Sequence, residues 1–382
     1  MEAATRIREE ALPLRIETVT SEAGFIELAG SWDDLVRAMP RPSPFLLHSW
    51  LLEWWRHYGR GADLVVHVAF RGDRLVGALP LCTRRRFGLR VSEFVGGTWA
   101  ILADALVASG EDARAVVAGL AARAVEGEHD FADLFGLPGS SRLVAALPQG
   151  SLRLVQRLEA PVCDLGPSWE EAYTSRLSSK ARSERRRRLR QLEQHGTVES
   201  EVARTREEIA GALEDAFVVH DQRWRGRRDA SGFITETGKR FHRAALLALA
   251  DQDVARGLTI RLDDRPIAFS LYLQLAGRSY GMNMAFDPAY APYGPGSEAK
   301  LQAIEASWSE GVRRIELLGT AAEHKRRFSD RFEPVYEGIG LARTRRGRAA
   351  TDALLAGIRI RRAFKRSKTA RKLYAHMRLQ RA

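Results

Sequence analysis

Apolar and polar positions alternate in two rhythms along this chain, one suited to strands and one to helices. Leu14 to Val19 alternates and predicts a strand. Gly24 to Met39 puts Phe25, Leu28, Trp32, Leu35 and Val36 on one side of a helix. Pro44 to Tyr58 predicts a second helix, entered through a proline and rich in aromatics. Its tryptophans read as core, with a substrate pocket as the alternative. Leu64 to Phe70, a polar turn at Arg71–Arg74, and Leu75 to Cys82 predict a hairpin. Pro80 in its second strand points to a sheet edge or a bulge. Val91 to Leu106 is apolar, with Gly96-Gly97 inside it. Asp112 to Val125 predicts a helix, Asp130 to Leu137 a strand, Ser140 to Leu147 a short helix, and Leu152 to Leu165 a closing strand and connection.

The second half opens with helices. Pro167 to Glu171 is an N-cap signature, and Ser178 to His195 is an arginine-dense helix stopped by Gly196. Arg206 to Trp224 and Gly238 to Asp251 are further helices. A hairpin then recurs: Leu258 to Leu262, a turn at Asp263–Pro266, Ile267 to Leu275, then Ser279 to Phe286. Asp73-Arg74-Leu75-Val76-Gly77-Ala78 and Asp264-Arg265-Pro266-Ile267-Ala268-Phe269 occupy the same place in the two halves. The order of elements predicts two copies of one α/β unit. After the second hairpin, Tyr293-Gly294-Pro295-Gly296 runs into a helix from Ser297 to Gly311, followed by a buried strand from Arg313 to Leu318. A loop entering a helix offers free N–H groups and the positive end of a dipole to a phosphate. Neither the G-x-G-x-x-G spacing of dinucleotide folds nor a P-loop is present.

Charge alters this picture in two places. The chain of 382 residues has a net charge of +12. From Arg343 onward fourteen Lys/Arg face one acid, Asp352, and Arg176 to Arg190 carries eight against Glu184. The remainder is net acidic. Two basic segments of this kind attract phosphates, in RNA, anionic lipid or a nucleotide. Two cysteines, Cys82 and Cys163, argue against a disulfide framework and for a reducing cytoplasm. No run is long and apolar enough to span a membrane, and no secretory signal is visible.

The order of elements resembles the GNAT acyltransferase superfamily, and more narrowly its CelD/Fem-like branch of tandem GNAT units. The resemblance rests on Phe45…Trp50…Trp54, Leu75 to Leu81, Leu189-Arg190-Gln191-Leu192-Glu193…Gly196, Asp264 to Phe269, Phe286-Asp287-Pro288…Tyr290…Tyr293…Pro295-Gly296, and Glu316-Leu317-Leu318-Gly319…Lys325…Phe328. It covers roughly Pro44 to Phe332. It implies a mixed α/β fold with largely antiparallel central sheets: a first unit at 1–166, degenerate for cofactor, a second at 167–343 with the acyl-donor site, and a basic helical tail at 344–382.

The resemblance further implies an acyl-CoA co-substrate, acetyl-CoA foremost, and no metal. The main chain of Met284, Ala285 and Phe286 would pair with the pantetheine, and Tyr293, Gly294, Pro295, Gly296 and Ser297 would receive the pyrophosphate. Glu316, Lys325 and His324 are the candidates for proton transfer and charge stabilisation. His220, Trp224 and Tyr280 are candidates for the acceptor pocket, in a crevice between the halves. The leading expectation is an N-acyltransferase acting on a small-molecule amine. The alternatives are an aminoacyl-tRNA-dependent transferase, with tRNA held by Arg176–Arg190 and the tail, and a non-catalytic envelope-biogenesis module. The expected location is cytoplasmic, with the tail able to reach the inner face of a membrane.

Overall fold

The computed structural model describes residues 12–225, 232–319, 323–326 and 328–366. In the first half come β1 (Leu14–Val19), α1 (Glu22–Glu27), α2 (Ala29–Arg37), α3 (His48–Tyr58), β2 (Ala62–Arg71), β3 (Arg74–Arg86), β4 (Leu89–Phe94), β5 (Leu106–Val107), α4 (Ala113–Glu126), β6 (Phe131–Pro138), α5 (Arg142–Ala146) and β7 (Leu152–Asp164). The second half holds α6 (Trp169–Arg176), α7 (Ser179–Glu193), β8 (Val198–Ala203), α8 (Arg206–Trp224), α9 (Glu236–Ala250), β9 (Ala255–Leu262), β10 (Arg265–Leu275), β11 (Arg278–Phe286), α10 (Pro295–Ser309), β12 (Arg314–Glu316), α11 (Glu323–Arg326), β13 (Arg331–Gly340) and α12 (Arg345–Arg366).

Local chemistry sets most of these boundaries. Ser21, Asp112, Ser168, Ser178 and Thr235 each accept a hydrogen bond from a first-turn N–H of the helix that follows. Thr205 and Glu208 form a reciprocal capping box at the start of α8. Two predicted helices are broken. The first divides at Leu28. The second becomes a 3-10 turn over Pro44–Leu46 and then α3, because Leu47 is extended at ψ 143°. Pro80 lies in an interior strand, not at an edge. Its carbonyl accepts from the Val95 N–H at 3.0 Å, on the flank where β5 pairing ends at Ala78 and β4 pairing begins at Leu81, so the missing N–H falls at a break between two neighbouring ladders.

All thirteen strands belong to one sheet, in the order β1-β2-β3-β4-β6-β13-β7-β12-β11-β10-β9-β8, with β5 beside β3. The order reads alike from either end. β4 and β6 are parallel, as are β11 and β12, and every other neighbour is antiparallel. The predicted repeat is therefore present as topology. The last strand of each half has crossed over. β7 pairs with β12 of the second half, β13 pairs with β6 of the first, and the two lie side by side.

The aromatics of the first half are core. Trp50 is 1% exposed against Phe45 and Phe241, and the Trp32 indole donates to the Leu46 carbonyl at 2.8 Å. The expected basic helical tail begins as a helix docked on the sheet. Leu355 and Ile358 of α12 pack on Val91, Phe131, Val155 and Ile339. Residues 367–382 of that expected tail lie outside the described residues.

Two buried histidines make the fold acid-sensitive. Burial pushes His67 and His242 down to about 4. Each is neutral in the folded protein and takes up a proton more readily when unfolded. Stability is expected to fall as pH drops from 6.5 toward 4. Asp133, which burial and the neighbouring Glu337 raise to about 6, works in the opposite sense over the same range. Burial also lowers His48 and His129 and raises Asp33, Asp104 and Asp215, while hydrogen bonds and ion pairs lower Asp130, Glu298 and Glu333. The four histidines lose their contribution first on acidification, so a melting temperature followed from pH 7 to pH 4.5 is expected to fall. A flat profile would contradict this account.

Candidate functional site

The site starts where two parallel strands part. β11 pairs with β12 only through Arg278↔Arg314, Ser279↔Ile315 and Tyr280↔Glu316. On its other flank β11 carries a bulge: Leu271 faces Asn283 and Tyr272 faces Gly281, so Met282 has no partner. The bulge reverses the alternation of side chains. Before it, Ser279 reaches Ser307 of α10 at 3.2 Å; after it, Phe286 lies against Gly296 of α10 while Ala285 joins the core on the other face. A cavity of about 260 Å³ fills the parting, lined by Met282, Asn283, Met284, Ser307, Leu317 and Lys325 among others. At the equivalent place the first half has a cavity of about 310 Å³, lined by Glu93, Phe94, Asp133 and Phe135 among others. β4 and β6 part after Ser92↔Ala132, but Ala103 N–H bonds to the Gly136 carbonyl there. Gly136, at φ 93°, lies so close to the Ala100 carbonyl that a Cβ would stand 2.3 Å from it.

β11 leads into the phosphate-type loop. Asp287 accepts from the Ala289 N–H at 3.0 Å and pairs with Arg265 at 2.6 Å, which folds Pro288–Tyr293 into a 3-10 turn. Gly294 then takes the left-handed conformation, φ 70°, and α10 starts at Pro295, two residues earlier than predicted. Among the described residues no side chain caps this helix; the Ser297 and Glu298 N–H groups bond to the Gly294 carbonyl at 3.0 and 3.2 Å, and the positive end of the helix dipole borders the loop. Gly296 is required for a different reason: a Cβ there would be 2.6 Å from the Phe286 ring.

The arginine-dense helix α7 roofs this loop. Arg185 grips Glu298 of α10 with two hydrogen bonds, 2.7 and 2.6 Å, and donates to the Tyr173 hydroxyl at 3.1 Å. His195 Nε2 lies 2.6 Å from the Tyr293 hydroxyl. Burial alone would raise the Glu298 carboxyl, but Arg185 outweighs it and holds the group below its ordinary range. Between α7 and α10 lies a cavity of about 860 Å³. Arg176, Lys180, Arg185, Arg188 and Lys300 line it against only two carboxylates, Glu184 and Glu298. Such a lining with an uncapped helix terminus suits a diphosphate. Lys300 lines both this cavity and the smaller one.

The predicted donor residues divide accordingly. Tyr293, Gly294, Pro295 and Ser297 line the large cavity, Met284 the small one, and Gly296 and Phe286 pack behind them. Lys325 lines the small cavity and donates to the Leu317 and Leu318 carbonyls at 3.0 and 2.7 Å. Burial lowers its pKa. The side chain of His324 lies outside the described residues. Glu316 is fully buried and held by Arg41 at 2.6 Å, Arg314 at 2.8 Å and Arg278 at 3.3 Å. Tyr280 is buried beside it, its hydroxyl donating to the Pro42 carbonyl. His220 is buried against Phe233 and Trp224 on the α8 face of the sheet, opposite α10. The structure thus brings the loop residues and Lys325 around neighbouring cavities and leaves Glu316, Tyr280 and His220 elsewhere.

Residues 179–326 match the family model described as Acetyltransferase (GNAT) domain. Residues 179–326 carry a GNAT acetyltransferase domain. Among solved structures, FemX matches with a TM-score of 0.59 and 12% identity, over 85% of this chain and 96% of that one. The C-terminal domain of a protein described as a putative lysylphosphatidylglycerol synthetase, from Agrobacterium fabrum, matches at TM-score 0.52 and 14% identity, over 88% and 95%. Both likenesses show the fold. No curated protein sequence matches the chain. The matched segment takes in α7. Among the described residues no helix is long and apolar enough to cross a membrane, and no cluster of His, Cys, Asp or Glu could hold a metal.

Sequence reasoning passed over Lys180, Arg185, Arg188 and Glu298 as site residues. A signal existed. Ala181, Arg185, Arg188 and Leu192 fall at helical spacing, and these positions are partly or wholly buried while Arg186, Arg187 and Arg190 are exposed. Arginines within an apolar face mark a helix that packs over something charged.

Proposed function

We propose that the protein moves an acyl group, acetyl foremost, from acyl-CoA to an amine. One observation carries this reading: the parting of β11 and β12 opens beside a basic cavity over an uncapped helix N-terminus. The diphosphate lies against Gly294–Ser297, with Lys180 and Arg188 as counter-charges. The pantetheine arm follows β11 past the bulge, where the freed main chain around Met282 to Met284 offers it hydrogen bonds in place of a neighbouring strand. The amine attacks the thioester carbonyl, whose developing negative charge is met by a strand N–H; the C–S bond then breaks, the amine gives up one proton, and the CoA thiolate leaves and takes a proton to become the thiol. Lys325 stands beside this point, and its lowered pKa brings its amine nearer a proton-accepting state. Glu316 serves here as an anchor for the end of β12. The first unit, 1–166, supplies acceptor-side walls and binds no donor, because β4 leads into a 3-10 turn at Gly97–Trp99 where β11 leads into a glycine–proline loop and a helix.

A second reading, with aminoacyl-tRNA as donor, draws on the outer face of α7, where Arg186, Arg187 and Arg190 are exposed beside the same cavity. One titration separates the two. Acetyl-CoA at a hundred times its dissociation constant should stabilise the protein by about 2.7 kcal/mol, and Arg188→Glu should weaken binding at least tenfold, since one phosphate contact becomes a repulsion of about 1.4 kcal/mol or more. If no acyl-CoA stabilises the protein at millimolar concentration while charged tRNA does, the second reading stands.

A further inference from the structure

The turn between β3 and β4 is chemically odd. Arg86 pairs with Leu89, so the loop is two residues, Phe87-Gly88, both at positive φ, 51° and 78°. Asn-Gly or Gly-Gly satisfies such a turn without strain; a phenylalanine meets a steric cost at its first position. The side chain wins nothing back from the fold, because Phe87 is completely exposed. A strained, solvent-facing aromatic at a hairpin tip indicates a contact made outside the chain. Arg85 beside it is exposed as well.

The tip adjoins α12. Leu89, two residues beyond Phe87, packs in the same cluster as Leu355 and Ile358. Of that helix's other apolar residues, Leu354 at the rim beside Ile358 is 39% exposed and Ile360 on the outer side 67%. It also exposes Arg345, Arg346, Arg348, Arg359 and Arg361, for which no ion pair occurs among the described residues. The sequence after 366 adds five Lys/Arg and no acid. Arg84 and Arg86, at the base of the same hairpin tip, are by contrast paired with Glu93.

We infer that the Phe87 tip and the outer face of α12 form a docking surface for an anionic phospholipid bilayer. The arginines supply the attraction to the negative headgroups, and Phe87, Leu354 and Ile360 enter the interfacial layer. Isolated aliphatic side chains among the arginines favour lipid over nucleic acid, which offers them no apolar layer. The inference is independent of which acyl donor is used.

Vesicle flotation of the full chain tests it. The protein should float with phosphatidylcholine vesicles containing about a third phosphatidylglycerol, and not with phosphatidylcholine alone, with binding weakened by salt. Phe87→Ser should lower the partition coefficient about tenfold or more, from the apolar area it forfeits. The double variant Arg359→Glu, Arg361→Glu should lower it about tenfold or more, because each glutamate replaces attraction to the headgroups with repulsion. Both variants should keep the parent melting temperature and acetyl-CoA affinity. Equal flotation with both lipids, undiminished flotation of both variants, or RNA binding without vesicle binding would each overturn the inference.

Discussion

Replacing Glu316 with alanine should destabilise the protein by about 3–5 kcal/mol, the cost of leaving buried charges without their partner. Three guanidiniums converge on this one carboxylate, and its side chain is 0% exposed. Arg41 also pairs with Glu333 at 2.8 Å and Arg314 with the same residue at 2.9 Å, so the network has a second acid but too few to neutralise three cations. The loss joins distant parts of the chain. Arg41 follows α2 in the first half, whereas Arg278 and Arg314 open β11 and β12. Urea unfolding of Glu316→Ala and Glu316→Gln measures the effect. The glutamine keeps the shape and some hydrogen bonds, so it should fall between the parent and the alanine variant. Parent-like stability with lost turnover would instead make Glu316 a proton acceptor.

The second large effect belongs to Gly296. Adding even one methyl places a carbon 2.6 Å from the Phe286 ring, and the first turn of α10 must shift away from β11. Gly296→Ala should cost about 1–3 kcal/mol of stability through overpacking. It should weaken acetyl-CoA binding at least tenfold, by about 1.4 kcal/mol, because the displaced turn is the one that meets the diphosphate. Shortening Phe286 gives the room back. The double variant Gly296→Ala, Phe286→Ala should bind better than Gly296→Ala alone, and a double-mutant cycle by calorimetry isolates that coupling. Additive losses would show that Gly296 acts through its N–H and not through packing.

Much of this fold is written in local pattern. The capping residues, the hairpins and the alternation of β2, β3, β9 and β10 all follow from short stretches, and those elements lie where the pattern puts them. The loop before α10 was legible for the same reason: glycine and proline there allow few conformations. Three features were not legible, each because it depends on a partner far along the chain. α7 looks like a solvated basic helix until Glu298, more than a hundred positions away, accepts Arg185. Glu316 looks like a crevice carboxylate until Arg41 arrives from 275 positions earlier. The bulge at Met282 is a matter of register with β10, which no run of residues in β11 announces.

The crossing of β7 and β13 sets an order on the making of the protein. During synthesis the first half emerges with β6 lacking its neighbour, since β13 is some two hundred residues downstream. At roughly 5–20 residues per second that strand arrives many seconds later. β7 likewise waits for β12. The nascent first half therefore holds an open apolar edge until Arg331–Gly340 has been made, which is where a chaperone would find it. A chain stopped before Arg331 would leave both halves incomplete, and heating or denaturant should take both apart in a single transition.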